Sequence, residues 1–124
     1  MDSAQCIRTL SGHRSTVLCL KLLKKQGQLI SGSADKTLRI WNINTGECLR
    51  MVTGHTLSIK SLFVKGSAVA SGSQDNTIKI WNLKEKCKCV RTITGHDSFV
   101  NCVAFNSRMI VSGSSDKTIR IMKF

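Results

Sequence analysis

Residues 31–42 read SGSADKTLRIWN, residues 71–82 read SGSQDNTIKIWN, and residues 112–124 read SGSSDKTIRIMKF. The aspartates of these phrases, Asp35, Asp75 and Asp116, are spaced 40 and 41 residues apart. Gly-His pairs keep the same step: Gly12-His13, Gly54-His55 and Gly95-His96 are spaced 42 and 41 residues apart. Self-similarity at a fixed period near 40 residues marks a chain built from stacked copies of one supersecondary unit.

Inside each copy the signals are those of strands. After each Gly-His comes an apolar and β-branched run, TVLCLKLL, LSIKSLFV or SFVNCVAF, of the kind that suits a pleated surface. A polar turn follows, then LISGS, VASGS or IVSGS. The ADK, QDN and SDK triplets make the next tight turn, since Asp and Asn side chains bond their own backbone there. TLRIW, TIKIW and TIRIM alternate, and ECLRMV and CVRTIT close the first two units. No stretch keeps a 3.6-residue period over the length of a helix. The reading is all-β, with four antiparallel strands per unit. The first unit has two extra residues (His13 to Trp41 is 28, His55 to Trp81 is 26), assigned to the KKQGQ turn.

Composition sets the outer bounds. The chain has 124 residues, 41% of them hydrophobic, and no Pro to break a ladder. The formal charge is +12, from 19 Lys and Arg against seven Asp and Glu, which favours acidic partners. The N-terminal residues lack a basic segment followed by an apolar one, and no apolar run approaches a membrane span, so a soluble cytoplasmic or nuclear protein is expected. Five of the six cysteines recur with the repeat. Cys6, Cys48 and Cys89 lie seven residues before a His, and Cys19 and Cys102 six after one, as small buried apolar residues would. Cys87 and Cys89 form a C-x-C pair without further ligands at zinc spacing. No phosphate-cradling or metalloprotease motif is present. No cofactor and no metal are expected.

Gly-His, then Ser-Gly-Ser-x-Asp-x-Thr, then apolar-x-Ile-Trp-Asn, in this order over nearly the whole chain, resembles the WD40 repeat family. The family usually writes Trp-Asp; this chain has Trp-Asn at Trp41-Asn42 and Trp81-Asn82. The resemblance implies β-propeller blades. It divides residues 1–124 into repeat one at about 11–52, repeat two at about 53–93 and repeat three at about 94–124, with a strand at 6–10 (CIRTL) that serves ring closure. It also implies a buried hydrogen-bonded tetrad in each blade: His13, Ser31, Asp35 and Trp41; His55, Ser71, Asp75 and Trp81; then His96, Ser112 and Asp116, with Met122 in the Trp position. Such a set satisfies an imidazole, a hydroxyl and an indole together. A His, a Ser and an Asp also suggest a hydrolase triad, but threefold repetition argues for a structural link and no nucleophile elbow is present. Met122 donates no hydrogen bond, so a weaker third network and a looser last blade are expected.

Strand order leaves the ring open. The last unit has no closing strand, and three blades are fewer than the roughly four to eight that close a ring. The ring is therefore incomplete unless the chain belongs to a longer propeller or self-associates, with a six-bladed dimer preferred. The resemblance places partner contacts on the top face, at Thr16, Leu18 and Ala34, at Ser58, Lys60 and Gln74, and at Phe99, Asn101 and Ser115. It implies a non-enzymatic protein-interaction scaffold or adaptor that binds a peptide or protein. The repeats look similar to those of F-box/WD adaptors of ubiquitin ligases and to related signalling proteins. Phosphodegron readers of that group use arginines at these positions; this chain offers only Lys60. The alternative is a basic nucleic-acid-binding or ribonucleoprotein-associated module. It rests on the net charge, on Arg39, Lys79 and Arg120, on Arg8, Arg50 and Arg91, and on the clusters Lys24-Lys25 and Lys84, Lys86 and Lys88.

Overall fold

The computed structural model describes residues 4–23 and 27–124. Most of the KKQGQ turn, with its two extra residues and the Lys24-Lys25 pair, lies outside the described residues. The described chain forms three antiparallel sheets in a row. Blade one holds β1 (Val17–Leu23), β2 (Gln28–Ser33), β3 (Leu38–Asn42) and β4 (Cys48–Val52). Blade two holds β5 (Ile59–Lys65), β6 (Ala68–Ser73), β7 (Ile78–Asn82) and β8 (Lys88–Ile93). Blade three holds β9 (Val100–Phe105), β10 (Met109–Ser114) and β11 (Ile119–Lys123), and β11 has no outer neighbour. Each sheet is a meander, as short connections between sequential strands favour. The blades form an open, unclosed ring.

The blades stack through their inner strands, β1 against β5 and β5 against β9. Leu23, Ile30, Leu38 and Ile40 of blade one close over Ile59, Leu62, Val69 and Trp81 of blade two. Ala70, Ile78 and Ile80 of blade two close over Val100, Val103 and Ile110 of blade three. The middle strand β6 is therefore covered on both faces, and small residues fill it: Ala68, Ala70 and Gly72 among Val69, Ser71 and Ser73. A Cβ added to Gly72 would lie 2.8 Å from Val100 Cγ1 of the next blade, so close blade packing requires glycine there.

Residues 6–10 pair with no strand of the described chain: they run beside blade one, where Arg8 Nη1 donates to the Thr45 carbonyl at 3.2 Å. Blade one already has its outer strand β4, so this segment has no free edge beside it. One expectation is corrected: the repeating cysteines are not buried as a class. Cys6 and Cys102 are exposed and Cys19, Cys48 and Cys89 half-buried, whereas Cys87, outside the pattern, is the buried one. Cys87 follows a short 3₁₀ turn at Leu83–Glu85 and joins the core between blades one and two. Burial there pushes its thiol up to about 11.

Candidate functional site

Each blade carries a polar network between its Gly-His loop and its central strands. In blade one, His13 Nδ1 meets Asp35 Oδ2 at 2.9 Å, and His13 Nε2 meets Ser31 Oγ at 2.6 Å. Trp41 Nε1 donates to the same Ser31 Oγ at 2.9 Å. In blade two the corresponding distances are 2.8 Å for His55 to Asp75, 2.6 Å for His55 to Ser71 and 2.8 Å for Trp81 to Ser71. Blade three keeps His96 to Asp116 at 2.8 Å and His96 to Ser112 at 2.7 Å. Met122 supplies no donor there and packs against the core between blades two and three.

One proton arrangement satisfies every atom of the complete networks. The indole donates to the serine oxygen, the serine hydroxyl donates to Nε2, and Nδ1–H donates to the carboxylate. The tautomer is assigned from this network. The serine oxygen thus has the indole N–H at its lone pair and its own proton directed at the imidazole, and Ser31 and Ser71 are buried. A substrate cannot reach it. Ser112 lacks the indole but is equally buried.

The repeated phrase holds two further participants that motif reading passes over. Thr37, Thr77 and Thr118 each direct both N–H and hydroxyl to Oδ1 of the aspartate two residues earlier. The second serine of each Ser-Gly-Ser accepts from the aspartate N–H, at 3.0 Å for Ser33, 3.1 Å for Ser73 and 3.0 Å for Ser114. Its hydroxyl donates to the loop before the blade's first strand, for example Ser33 Oγ to the Thr16 carbonyl at 2.9 Å. Their threefold repetition was the available signal, but a small hydroxyl residue beside a turn reads as filler.

These bonds shift the acids and one imidazole. Burial pushes the Asp35 carboxyl up, but donors from Thr37, Arg14 and His13 together hold it well below the usual carboxylate range. Asp75 is held low by the same balance, with Thr77, His55 and Thr56 as donors. For Asp116 the Thr118 hydroxyl is the largest influence, and the carboxyl again lies low. Burial lowers His55 below its ordinary 6.5, opposed by Asp75. A depressed folded value contributes stability above the unfolded value, and that stability is lost as pH falls. His55 and the three aspartates act in the same direction. The thermal midpoint is therefore expected to decline below about pH 6.5, through His55, and more steeply below about pH 4, through the aspartates. A differential scanning fluorimetry series from pH 8 to pH 3.5 checks this; a flat midpoint between pH 7.5 and pH 5 would refute the His55 contribution.

The nine top-face positions come together in threes. At each blade's end the residue before the Asp donates its N–H to the loop before the first strand: Ala34 to the Thr16 carbonyl at 2.8 Å, Gln74 to Ser58 at 2.9 Å and Ser115 to Phe99 at 2.9 Å. The ladder register skips one residue in each first strand, between Val17 and Cys19, between Ile59 and Ser61, and between Val100 and Cys102. The unpaired residues are Leu18, Lys60 and Asn101. A bulge re-aims a side chain away from the regular pleat, so the same bulge sets the same position in all three blades. Leu18 and Phe99 are exposed, Lys60 is half-buried, and Asn101 Nδ2 donates to Ser115 Oγ at 2.8 Å.

The strand-three bases sit elsewhere. The Arg39 guanidinium lies 6.0 Å from the Trp41 ring centroid, and Lys79 Nζ donates to Thr92 Oγ1 at 2.9 Å. A Cβ on Gly12 would lie 3.1 Å from Arg39 Nη1, and one on Gly95 3.1 Å from Arg120 Nη1. The two guanidinium groups thus lie against the glycine loops of their own blades. Among the described residues, no group of three or more His, Cys, Asp or Glu could hold a metal ion.

The family model described as WD domain, G-beta repeat, matches residues 4–42, 46–82 and 87–122. The chain belongs to the WD40 repeat family. Its relatives include an uncharacterised WD repeat-containing protein of Schizosaccharomyces pombe, 36% identical over 50% of this chain and 17% of that protein. Nuclear distribution protein nudF 1 of Talaromyces marneffei is 38% identical over 45% of this chain and 12% of its own length. A solved structure of U3-55K superposes with a TM-score of 0.85 at 25% identity, covering 92% of this chain and 38% of that one. The chain thus spans about an eighth to a sixth of these curated relatives and well under half of the solved structure. WD40 repeat proteins are, as a type, interaction scaffolds. Among the described residues no helix is long and apolar enough to cross a membrane.

Proposed function

We propose that this WD40 chain is a non-enzymatic scaffold that binds a protein or peptide across the bulged ends of its blades. The observation that carries this reading is the recurrent bulge, which presents Leu18, Lys60 and Asn101 at one position in consecutive blades. The bulge fixes the backbone at these positions, and preorganised positions lose little entropy on binding. Exposed Leu18 and Phe99, with Lys60 in the blade between them, suit an extended segment with apolar anchors and an acidic residue between them. A single lysine suits a carboxylate better than the bidentate grip that phosphate readers build from arginines. An adaptor role in ubiquitin ligation or signalling is compatible with this surface. Six free thiols suit a reducing cytoplasmic or nuclear compartment. The engagement of Arg39 and Lys79 within their own blades weighs against nucleic-acid binding.

Partner capture by the parent chain, by Phe99→Ala and by Lys60→Glu, each at low and high salt, tests this. Each variant should lose about tenfold in affinity for a captured protein, with an unchanged circular dichroism spectrum. Capture that ignores both substitutions, or that consists of RNA released by salt, would overturn the reading.

A further inference from the structure

Blade two carries one residue that blade one lacks, in the turn that faces the seam between them. Trp41 and Cys48 are partners across β3 and β4, seven residues apart; Trp81 and Cys89 are partners across β7 and β8, eight residues apart. The extra residue lies in the turn after β7. There Leu83–Glu85 form the 3₁₀ turn, and Lys86 and Cys87 follow with φ of 58° and 56°. In blade one the matching turn contains Gly46, with φ of 77°. Two consecutive left-handed residues that carry side chains are uncommon, and such strain gathers at functional sites. The longer turn sends Cys87 into the core between blades one and two and packs Leu83 against that core.

The outer strand of blade one is bulged where it meets this seam. Ile40 pairs with Arg50 and Trp41 with Cys48, so Leu49 has no partner. A bulge re-aims a side chain out of the regular pleat. Leu49 and Arg50 line a recess together with Gln28, Ile40 and, from blade two, Leu83. Its volume is about 350 Å³, at the small end of ligand sites. At about 30 Å³ for each heavy atom, the share of a water in the liquid, it has room for roughly ten to twelve. That suits a small molecule rather than an extended segment. Ile40, Leu49 and Leu83 give an aliphatic lining, Gln28 an amide and Arg50 a guanidinium. Among the described residues the contacts of carboxylates with basic groups are the three His–Asp pairs, so Arg50 has no acid of its own there. Its charge reaches across the seam: burial pushes the Cys87 thiol up, and Arg50 draws it down.

We propose that this recess binds a small aliphatic carboxylate, with its chain among Ile40, Leu49 and Leu83, its two oxygens on the Arg50 guanidinium and the Gln28 amide as a further donor. A guanidinium meets a carboxylate with two parallel bonds. One cation balances one carboxylate, whereas a phosphate monoester would carry charge that the recess does not match. The recess lies at the other end of the strands from the bulged ends of the first strands: Gln28 opens β2, and Ala34 follows its last residue. The inference is therefore independent of what those ends bind. Four of the lining residues belong to blade one and Leu83 to blade two, so a bound ligand ties the two blades together. A ligand that binds only the folded chain raises its thermal midpoint.

Titration of the full chain with octanoate, octanol, octylammonium and octyl phosphate, each below its micellar concentration, tests this by calorimetry and backbone amide shifts. Octanoate should bind about tenfold tighter than octanol, shift the amides of Leu49, Arg50 and Leu83, and raise the thermal midpoint. Octylammonium should bind weakest. Arg50→Gln should weaken octanoate about tenfold and leave octanol unchanged. Leu49→Asn should weaken both. Leu49 and Arg50 are exposed, so both variants should keep the parental circular dichroism spectrum. Arg91→Gln makes the same change at the equivalent position of β8, opposite Ile80, and should leave octanoate binding unchanged. Octanoate no tighter than octanol, octyl phosphate tighter than octanoate, shifts confined to other residues, Arg50→Gln without effect, or an equal loss in Arg91→Gln would each overturn the proposal.

Discussion

Replacing Asp75 with alanine is expected to destabilise the chain by about 3 kcal/mol or more. The Asp75 carboxylate gathers four donors: His55 Nδ1, the Thr56 and Thr77 N–H groups, and the Thr77 hydroxyl. Truncation leaves all four without a charged acceptor, and the His55 side chain is wholly enclosed. Asp75→Asn should cost much less, about 1 to 2 kcal/mol, because the network has a second solution. The new amide donates to Nδ1, His55 turns its proton to Nε2 and donates to Ser71, and the Ser71 hydroxyl turns to the Lys79 carbonyl, 3.4 Å away. The Thr56 N–H then loses its acceptor, and water reaches it because Thr56 is exposed. Urea titration followed by circular dichroism measures both costs, and nitrogen chemical shifts of His55 report the tautomer. Equal costs for the two variants, or an unchanged tautomer in Asp75→Asn, would contradict this account.

Trp81→Ala should cost about 3–5 kcal/mol, the range for deleting a large buried aromatic. Trp81 is 2% exposed and lies in the core that joins blades one and two. Its ring meets the His55 ring edge-on at 6.2 Å, and its N–H caps Ser71. The loss should therefore loosen blade two and its seat on blade one together. Met122→Trp is the converse. It restores a donor to Ser112 in the blade that lacks one, at a position already packed against the second core, and is expected to stabilise by about 1 kcal/mol. A lower urea midpoint for Met122→Trp would show that blade three cannot admit the larger ring.

Much of this was legible because it is local in sequence. His55, Ser71 and Asp75 lie within 20 residues of one another, and the strands between them are joined by short turns. The bulges at Leu18, Lys60 and Asn101 were not legible as bulges, since register belongs to a pair of strands and no single strand records it. The serines and threonines beside each aspartate were overlooked because their spacing suits an ordinary turn as well as a network.

The sequence by itself determined the blade: its strands, its turns and its polar lock, each repeated because each is satisfied inside one unit. Burial was decided only by tertiary structure. Ile78 and Ile119 stand at equivalent positions, yet one is buried and the other bare. Cys102 is exposed where its counterpart Cys19 is half-covered by blade two. CIRTL is spelled as an outer strand and pairs with no strand beside a blade that already has its outer one. A hydrogen-bonded ladder and a buried network need only the residues of their own blade, whereas the hydrophobic contribution of a face depends on the area its neighbour removes from water.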